Sequence, residues 1–155
     1  TLYMTPTIVE TALAEMDRLG LVGMTTHGEK AAAYMVDGYA RARRGPGICV
    51  AQTVGSANLA AGLRDACLAG SPVVAITGGM APATHYRHVY QEIEDFPLYD
   101  QATKFNAQVQ SIERLPDLVW QAFREATTGP SGPVHLELEG LSGSLHEHTW
   151  ASYRL

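Results

Sequence analysis

The sequence predicts an α/β protein in which a mostly parallel, doubly wound sheet has helices on both faces, making three layers. Segments with helical spacing alternate with short apolar runs along most of the chain. The run Val73-Val74-Ala75-Ile76-Thr77 is uninterrupted, as in a parallel strand that is covered on both faces. Ligands of such sheets bind at the carboxyl ends of the strands, so functional residues are expected directly after the apolar runs.

Four segments have the spacing of amphipathic helices. The first opens with a cap at Thr5-Pro6-Thr7, carries apolar residues on one face and is predicted to end at Gly20. The others are predicted at Glu29–Arg43, at residues 57–68 and at Leu115–Thr127. The second of these four ends at Gly45-Pro46-Gly47, and Gly62 inside the third indicates close packing against a neighbour.

Five apolar runs have the length and composition of strands. They are residues 21–25, 48–51, 73–77, 104–110 and 134–138. Residues 78–99 are predicted to be an irregular connection with a short helix near its middle, and long connections of this kind often carry function. Residues 1–140 are therefore assigned to one domain and residues 141–155 to a polar tail or linker.

Composition narrows the class of protein. A chain of 155 residues with 46% hydrophobic residues can bury a single core. Its 11 Lys and Arg against 16 Asp and Glu give a net charge of -5, which argues against nucleic acid as a partner. No apolar run approaches the roughly 20 residues of a membrane span. Cys49 and Cys67 lie in apolar segments, which is typical of buried thiols in a reducing compartment, so a cytoplasmic protein without a disulfide is expected.

One acidic residue stands at a strand-to-helix junction. The segment Thr25-Thr26-His27-Gly28-Glu29 follows the first predicted strand and places Glu29 in the first turn of the next helix. A glutamate there can simply complement the helix dipole, and position alone favours that interpretation.

A longer pattern around Glu29 favours a functional role. The stretch from His27 to Arg41, with Glu29, a polar residue, several alanines and then Asp-Gly-Tyr-Ala-Arg, resembles the acetolactate synthase family of thiamine-diphosphate enzymes. The resemblance covers roughly residues 5–140. It continues through Gly45-Pro46-Gly47, residues 53–58, 62–66 and 71–78, Tyr90-Gln91-Glu92, Thr103-Lys104 and residues 129–134.

The resemblance implies the pyrimidine-binding domain of such an enzyme, with the thiamine-diphosphate-binding fold. It further implies that the Glu29 carboxyl hydrogen-bonds the cofactor's aminopyrimidine ring nitrogen. This contact favours the imino tautomer, which removes the proton from thiazolium C2 and forms the ylid. Family members begin with a helix and a strand ahead of the position of Thr1, so the domain is expected to be partial and truncated at its N-terminus.

The resemblance also assigns a pocket. Thr53, Val54, Gly55, Asn58 and Pro72 are expected to bind the cofactor together with Glu29, while Tyr90 and Gln91 are expected on the substrate side, with Gln91 also a catalytic candidate. Two of these residues have ordinary alternatives. Asn58 can be a helix-terminal hydrogen-bonding residue and Tyr90 can be a core aromatic.

Two departures from the family pattern bear on substrate identity. Gly28 separates His27 from Glu29, where the family has the histidine directly before the glutamate. Thr53-Val54 also replaces the first Gly-Pro of the family's glycine-rich loop. Neither change moves Glu29 out of register with the alanine-rich helix, so the cofactor class is unaffected.

Lys104 is interpreted as a structural or interface cation.

Cofactors and partners follow from the same resemblance. Thiamine diphosphate is expected, with Mg²⁺ held by a diphosphate-binding domain that this chain does not contain, because its nearest motif, Asp37-Gly38, lies inside a helix. Some relatives also retain FAD.

The chain would be a fragment of a longer polypeptide or a separate subunit, inactive alone. It would assemble as a homodimer or homotetramer through the helices after Glu29 and Gly55, and a 2-oxo acid would be its substrate.

Four other interpretations stay open. A nucleotide-binding domain using Gly55 lacks the three spaced glycines of that fingerprint. A non-catalytic assembly domain, or a related decarboxylase for another 2-oxo acid, fits the same pattern. The spacings of His85 with His88 and of His146 with His148 could hold a metal, but no supporting ligand pattern surrounds them, so solvated histidines and no metal site are expected.

Overall fold

The computed structural model describes residues 2–3 and 10–140, and they form a three-layer α/β structure. Six strands make one sheet in the order β2-β1-β3-β4-β6-β5, and every neighbouring pair is parallel. The strands are β1 Leu2–Tyr3, β2 Met24–Thr25, β3 Gly47–Ala51, β4 Val73–Gly79, β5 Phe105–Val109 and β6 Val134–Glu139. The helices are α1 Glu10–Arg18, α2 Glu29–Arg43, α3 Ser56–Ala69 and α4 Leu115–Thr127.

Alternating residues of the central strands enter two separate cores. Val73 and Ala75 of β4 belong to a core formed with α2 and α3, whereas Val74 belongs to a core formed with β5, β6 and α4. Since successive side chains of a strand point to opposite faces, the two cores lie on opposite sides of the sheet. The predicted fold class, with helices on both faces, is therefore confirmed.

Small residues bring α2 and α3 close together. A Cβ atom on Gly62 of α3 would lie 2.6 Å from the Ala33 Cβ atom and 3.0 Å from the Lys30 carbonyl oxygen of α2. The close packing predicted from the glycine inside this helix is thus present. It fixes the position of the first turn of α2 relative to α3.

Two buried rings stack between β6 and the segment that follows β4. The rings of Tyr99 and His135 are 3.4 Å apart between centroids and 8° from parallel. The His135 ring nitrogens lie 2.7 Å from Thr77 Oγ1 and 2.7 Å from Asn106 Oδ1. Because the ring is buried, its pKa is lowered to about 3, and the imidazole is neutral at ordinary pH.

Several local expectations were wrong. Strand β1 was not predicted, and only Met24–Thr25 of residues 21–25 forms a strand, because two-residue strands are defined by their pairing rather than by a sequence pattern. In the long connection, 3₁₀ turns occupy its two ends, Pro82–Thr84 and Phe96–Gln101, instead of its middle. Cys49 is buried as expected, but Cys67 is exposed on α3.

The predicted start of the first helix at Thr5-Pro6-Thr7 lies outside the described residues, as do His146 and His148. None of the helices in the described part of the chain combines the length and the apolar character needed to cross a bilayer.

Candidate functional site

The site forms where the strand order reverses. Strand β1 lies between β2 and β3, and the chain passes from β1 to β2 on one side and then through α2 to β3 on the other. A parallel sheet has a crevice at the carboxyl end of such a switch point. The reversal lies between β1 and β3, so the residues after β3 flank this crevice, and the residues after β2 begin α2, which leads back across to β3.

Glu29 occupies the first turn of α2, just after β2. The turn before it is ordered by Thr26, which is buried and whose Oγ1 donates a hydrogen bond to the Gly28 carbonyl oxygen at 3.0 Å. Gly28 caps the helix with extended backbone. Glu29 is half-buried, and its side chain extends toward the neighbouring element rather than into open solvent.

That neighbouring element is the start of α3. The Glu29 carboxyl lies against Gly55, where an added Cβ atom would be 2.6 Å from the Glu29 Cδ atom. Asn58 donates a hydrogen bond from Nδ2 to Glu29 Oε2 at 3.4 Å. Two residues from after β3 thus contact the carboxylate from after β2. The structure brings Glu29, Gly55 and Asn58 together.

Thr53 and Val54 extend this cluster. They form a 3₁₀ turn with Gly55 directly after β3. Thr53 is buried and its Oγ1 has no hydrogen-bond partner among the described residues, whereas Val54 is 52% exposed. The turn therefore presents the accessible aliphatic side chain of Val54, while the Thr53 hydroxyl is buried within it.

Tyr90 and Gln91 lie on a loop that Glu92 orders. The Glu92 carboxylate accepts hydrogen bonds from the backbone N–H groups of Tyr86 and Val89, the latter at 3.1 Å. Burial raises the pKa of Glu92, but these backbone donors outweigh it and the pKa is lowered overall. Tyr90 is 80% exposed, so the alternative that it is a core aromatic does not hold.

Gln91 has an unusual backbone. Its φ is 62°, in the left-handed region that non-glycine residues seldom adopt, and its Oε1 atom is buried without a hydrogen-bond partner among the described residues. Backbone strain of this kind is concentrated at functional sites. No role was predicted for Glu92, although its charge within the Tyr-Gln-Glu segment was a usable signal.

Pro72 is not brought to this cluster. It precedes β4, and its carbonyl oxygen accepts a hydrogen bond from the Gly47 N–H at the start of β3. It therefore lies at the amino edge of the sheet, whereas Glu29 and Gly55 lie at the carboxyl edge. Lys104 donates to the carbonyl oxygens of Glu125 and Thr128 at 2.7 and 2.9 Å, in agreement with a structural role at the end of α4.

Two further residues stabilise the start of α3 and were missed. The Tyr99 hydroxyl donates to the Ser56 carbonyl oxygen at 2.9 Å and accepts from Ser56 Oγ at 3.1 Å. Asp95 accepts a hydrogen bond from the Ala57 N–H, while burial raises the pKa of its carboxyl. No local pattern could have indicated either contact, since each joins residues about 40 positions apart in the sequence.

The fold and this cluster define a ligand-binding α/β domain with a carboxylate at its switch point. Residues 6–100 match the family model described as "Thiamine pyrophosphate enzyme, N-terminal TPP binding domain". The chain belongs to this family, and the resemblance stated from the sequence is confirmed.

Similar proteins include several acetolactate synthases. A probable acetolactate synthase large subunit of Methanocaldococcus jannaschii is 40% identical over 76% of this chain and 20% of its own length. The Escherichia coli acetolactate synthase isozyme 2 large subunit is 38% identical over 77% of this chain and 22% of its length. A Bacillus subtilis acetolactate synthase is 34% identical over 67% and 18%. The chain thus spans about a fifth of the curated relatives it matches.

Proposed function

We propose that this chain binds the aminopyrimidine end of thiamine diphosphate in an acetolactate synthase-like enzyme, with the Glu29 carboxyl as the group that shares a proton with the pyrimidine ring. The observation that carries the proposal is the position of that carboxyl. It lies at the switch point of the sheet, against Gly55 and within hydrogen-bonding distance of Asn58.

The residues around Glu29 fit a flat, polar heterocycle. Gly55 has no side chain, so the carboxyl occupies space that a Cβ atom would take. The exposed Val54 side chain supplies an apolar contact. When bound, thiamine diphosphate supplies a nucleophilic carbon that adds to the carbonyl of a 2-oxo acid.

Glu29 would act by holding and moving one proton. A carboxyl that faces a ring nitrogen can donate a hydrogen bond only while it is protonated, and removal from water favours the protonated form. Glu29 is half-buried in this chain, so a covering partner surface would complete its removal from water. Asn58 Nδ2 orients the second carboxyl oxygen.

The substrate side of the site would be formed by Tyr90 and Gln91. Tyr90 is accessible, and Gln91 carries the strained backbone described above. A 2-oxo acid anion such as pyruvate only accepts hydrogen bonds, so Gln91 would bind it through its Nε2 donors, beside the exposed Tyr90 ring. Gln91 is proposed to orient that substrate next to the cofactor.

The partner would be the diphosphate-binding domain of the same enzyme, from a second subunit of a homodimer or homotetramer. The accessible faces of α2 and α3 carry Tyr34, Tyr39 and the 88% exposed Leu68, which are apolar surfaces suited to such an interface. Mg²⁺ and, where present, FAD would be held outside this chain.

Both cysteines are free, which suits a reducing, cytoplasmic compartment.

The substitution Glu29→Gln in the full-length protein tests the proposal. Glutamine keeps the size of the side chain but cannot exchange the proton, so turnover of pyruvate should fall about 10²- to 10⁴-fold. Thiamine diphosphate should still bind, as measured by isothermal titration calorimetry. The matched control is Glu113→Gln on the surface before α4, which should leave both quantities unchanged. Unchanged turnover in Glu29→Gln would instead support a role in assembly alone.

A further inference from the structure

The Tyr99 hydroxyl holds the start of α3, where that helix meets Glu29. It donates a hydrogen bond to the Ser56 carbonyl oxygen at 2.9 Å and accepts one from Ser56 Oγ at 3.1 Å. Tyr99 is fully buried, and Ser56 is only 1% exposed. Because water does not compete for hydrogen bonds in such surroundings, the two bonds restrain the Ser56 backbone.

Ser56 stands between the two residues that contact the Glu29 carboxyl. Gly55 precedes it, and an added Cβ atom on Gly55 would lie 2.6 Å from Glu29 Cδ. Asn58 follows two residues later and donates from Nδ2 to Glu29 Oε2 at 3.4 Å. Since Gly55, Ser56 and Asn58 belong to one short backbone segment, a shift of Ser56 would move both contacts with the carboxyl.

The Tyr99 ring is itself fixed by three strands of the sheet. It stacks on His135 of β6, whose two ring nitrogens lie 2.7 Å from Thr77 Oγ1 of β4 and 2.7 Å from Asn106 Oδ1 of β5. Asn106 Nδ2 donates to the Phe96 carbonyl oxygen at 3.1 Å, which orients the amide so that its oxygen accepts from His135 Nδ1. Thr77 then donates to Nε2, so the stack is a neutral support in which each polar group of the imidazole is satisfied.

We propose that Tyr99 is a positioning residue for the Glu29 carboxyl and acts on it through Ser56. The inference rests on the proposed function of Glu29 and adds a residue to that function. Asp95, from the same segment as Tyr99, accepts a hydrogen bond from the Ala57 N–H and so restrains the same turn. A carboxyl that shares a proton with a ring nitrogen tolerates little displacement, so Tyr99 controls how fast the C2 proton of the cofactor is lost.

Tyr99→Phe in the full-length protein tests whether the hydroxyl holds the turn, because phenylalanine keeps the stacked ring. Without cofactor, amide hydrogen exchange of residues 55–62, followed by mass spectrometry, should be about tenfold faster than in the unsubstituted protein. The matched control is Ser131→Ala. Ser131 Oγ donates to the Gly70 carbonyl oxygen at 2.6 Å, at the opposite end of α3, so its loss should leave this exchange unchanged.

Deuterium exchange at C2 of bound thiamine diphosphate tests the effect on Glu29. The reaction is quenched with acid and measured by proton NMR. Exchange should be about tenfold slower in Tyr99→Phe and unchanged in Ser131→Ala. A Tyr99 hydroxyl that only stabilises the fold would lower the melting temperature in Tyr99→Phe without slowing C2 exchange, and this result would overturn the inference.

Glu29→Gln separates failure of the inference from failure of the proposed function. If C2 exchange is slow in Glu29→Gln but normal in Tyr99→Phe, the role of Glu29 stands and that of Tyr99 is overturned. If C2 exchange is normal in Glu29→Gln, both roles are overturned. Unchanged amide exchange of residues 55–62 in Tyr99→Phe also overturns the inference.

Ser56→Ala provides the same test if Tyr99→Phe does not fold. It removes the hydrogen bond from Ser56 Oγ and keeps the one from Tyr99 to the Ser56 carbonyl oxygen. Both changes should then occur in the same direction and to a smaller extent. If neither amide exchange nor C2 exchange changed in Ser56→Ala, the inference would be overturned.

Discussion

Gly55 controls the geometry around Glu29, because the carboxyl rests where a side chain would otherwise be. In Gly55→Ala the new methyl group would overlap the carboxyl, and the flexible Glu29 side chain would have to turn away. Displacing a catalytic group by about 1 Å can cost about 100-fold in rate, so a loss of that order in turnover of the full-length enzyme is expected. Steady-state kinetics with pyruvate would measure it.

Gly45→Ala is the control for this variant. Gly45 lies in the turn between α2 and β3, and an added Cβ atom there would have no neighbour within 4 Å. Activity should therefore be retained. Normal turnover in Gly55→Ala, with the protein folded, would show that the Glu29 carboxyl does not depend on this glycine.

At the scale of elements, the contact between α2 and α3 depends on Gly62. In Gly62→Ala the added methyl group would meet the Ala33 side chain and the Lys30 carbonyl oxygen, so the helices would have to separate. Overpacking typically costs about 1 to 3 kcal/mol, partly offset by the better helix propensity of alanine. A net loss of about 1 to 2 kcal/mol in the free energy of unfolding is expected.

Urea unfolding followed by circular dichroism would measure this loss. In Gly38→Ala the free energy of unfolding should instead rise by up to about 1 kcal/mol. Gly38 also lies inside α2, but a Cβ atom added there would meet no neighbour within 4 Å. If both variants were stabilised alike, the close contact at Gly62 would be absent.

The sequence predicts long elements better than short ones. The bounds of α2 and α4 agree with the expectation, because each has a continuous helical pattern. Strand β1 has two residues, and only its pairing with β2 and β3 defines it. The end of the strand at which a residue lies also decides whether it reaches the site. Glu29 and Gly55 follow strands and meet at the carboxyl edge of the sheet, whereas Pro72 precedes a strand and lies at the amino edge.

Contacts made across long loops could not be predicted in this way. The hydrogen bonds between Tyr99 and Ser56 and the backbone donors around Glu92 depend on how the irregular connection folds back on the sheet. Such contacts have no periodicity in the sequence. The Glu29 cluster was expected because the resemblance to the acetolactate synthase family assigned its residues, whereas the position of Glu29 after a strand favoured only a role at the helix terminus.

At the scale of the whole molecule, the buried His135 makes stability depend on pH. Its pKa is about 3 in the folded chain, and an unfolded histidine has a pKa of about 6.5. Between these values the unfolded chain binds a proton that the folded chain does not, so stability is fully present above about pH 6.5 and is lost as the pH falls toward 3.

The size of this effect can be isolated with His135→Gln. Between pH 7 and pH 5 the unsubstituted chain should lose about 2 kcal/mol more stability than the variant. The variant is needed because burial raises the pKa of Glu137, which acts in the opposite direction above about pH 4.5. Urea midpoints at the two pH values provide the measurement, and equal pH slopes would show that His135 accepts a proton in the folded state.

The carboxylate of Glu92 holds the turn that carries Tyr90 and Gln91 in one shape before any molecule arrives. Restricting a backbone residue costs about 1 to 2 kcal/mol of conformational entropy, and here that cost is met during folding. A molecule that docks against this turn therefore loses little affinity to ordering the protein. Selection at this surface should depend on whether the incoming shape fits a rigid template, and poorly fitting molecules would be rejected without rearrangement of the loop.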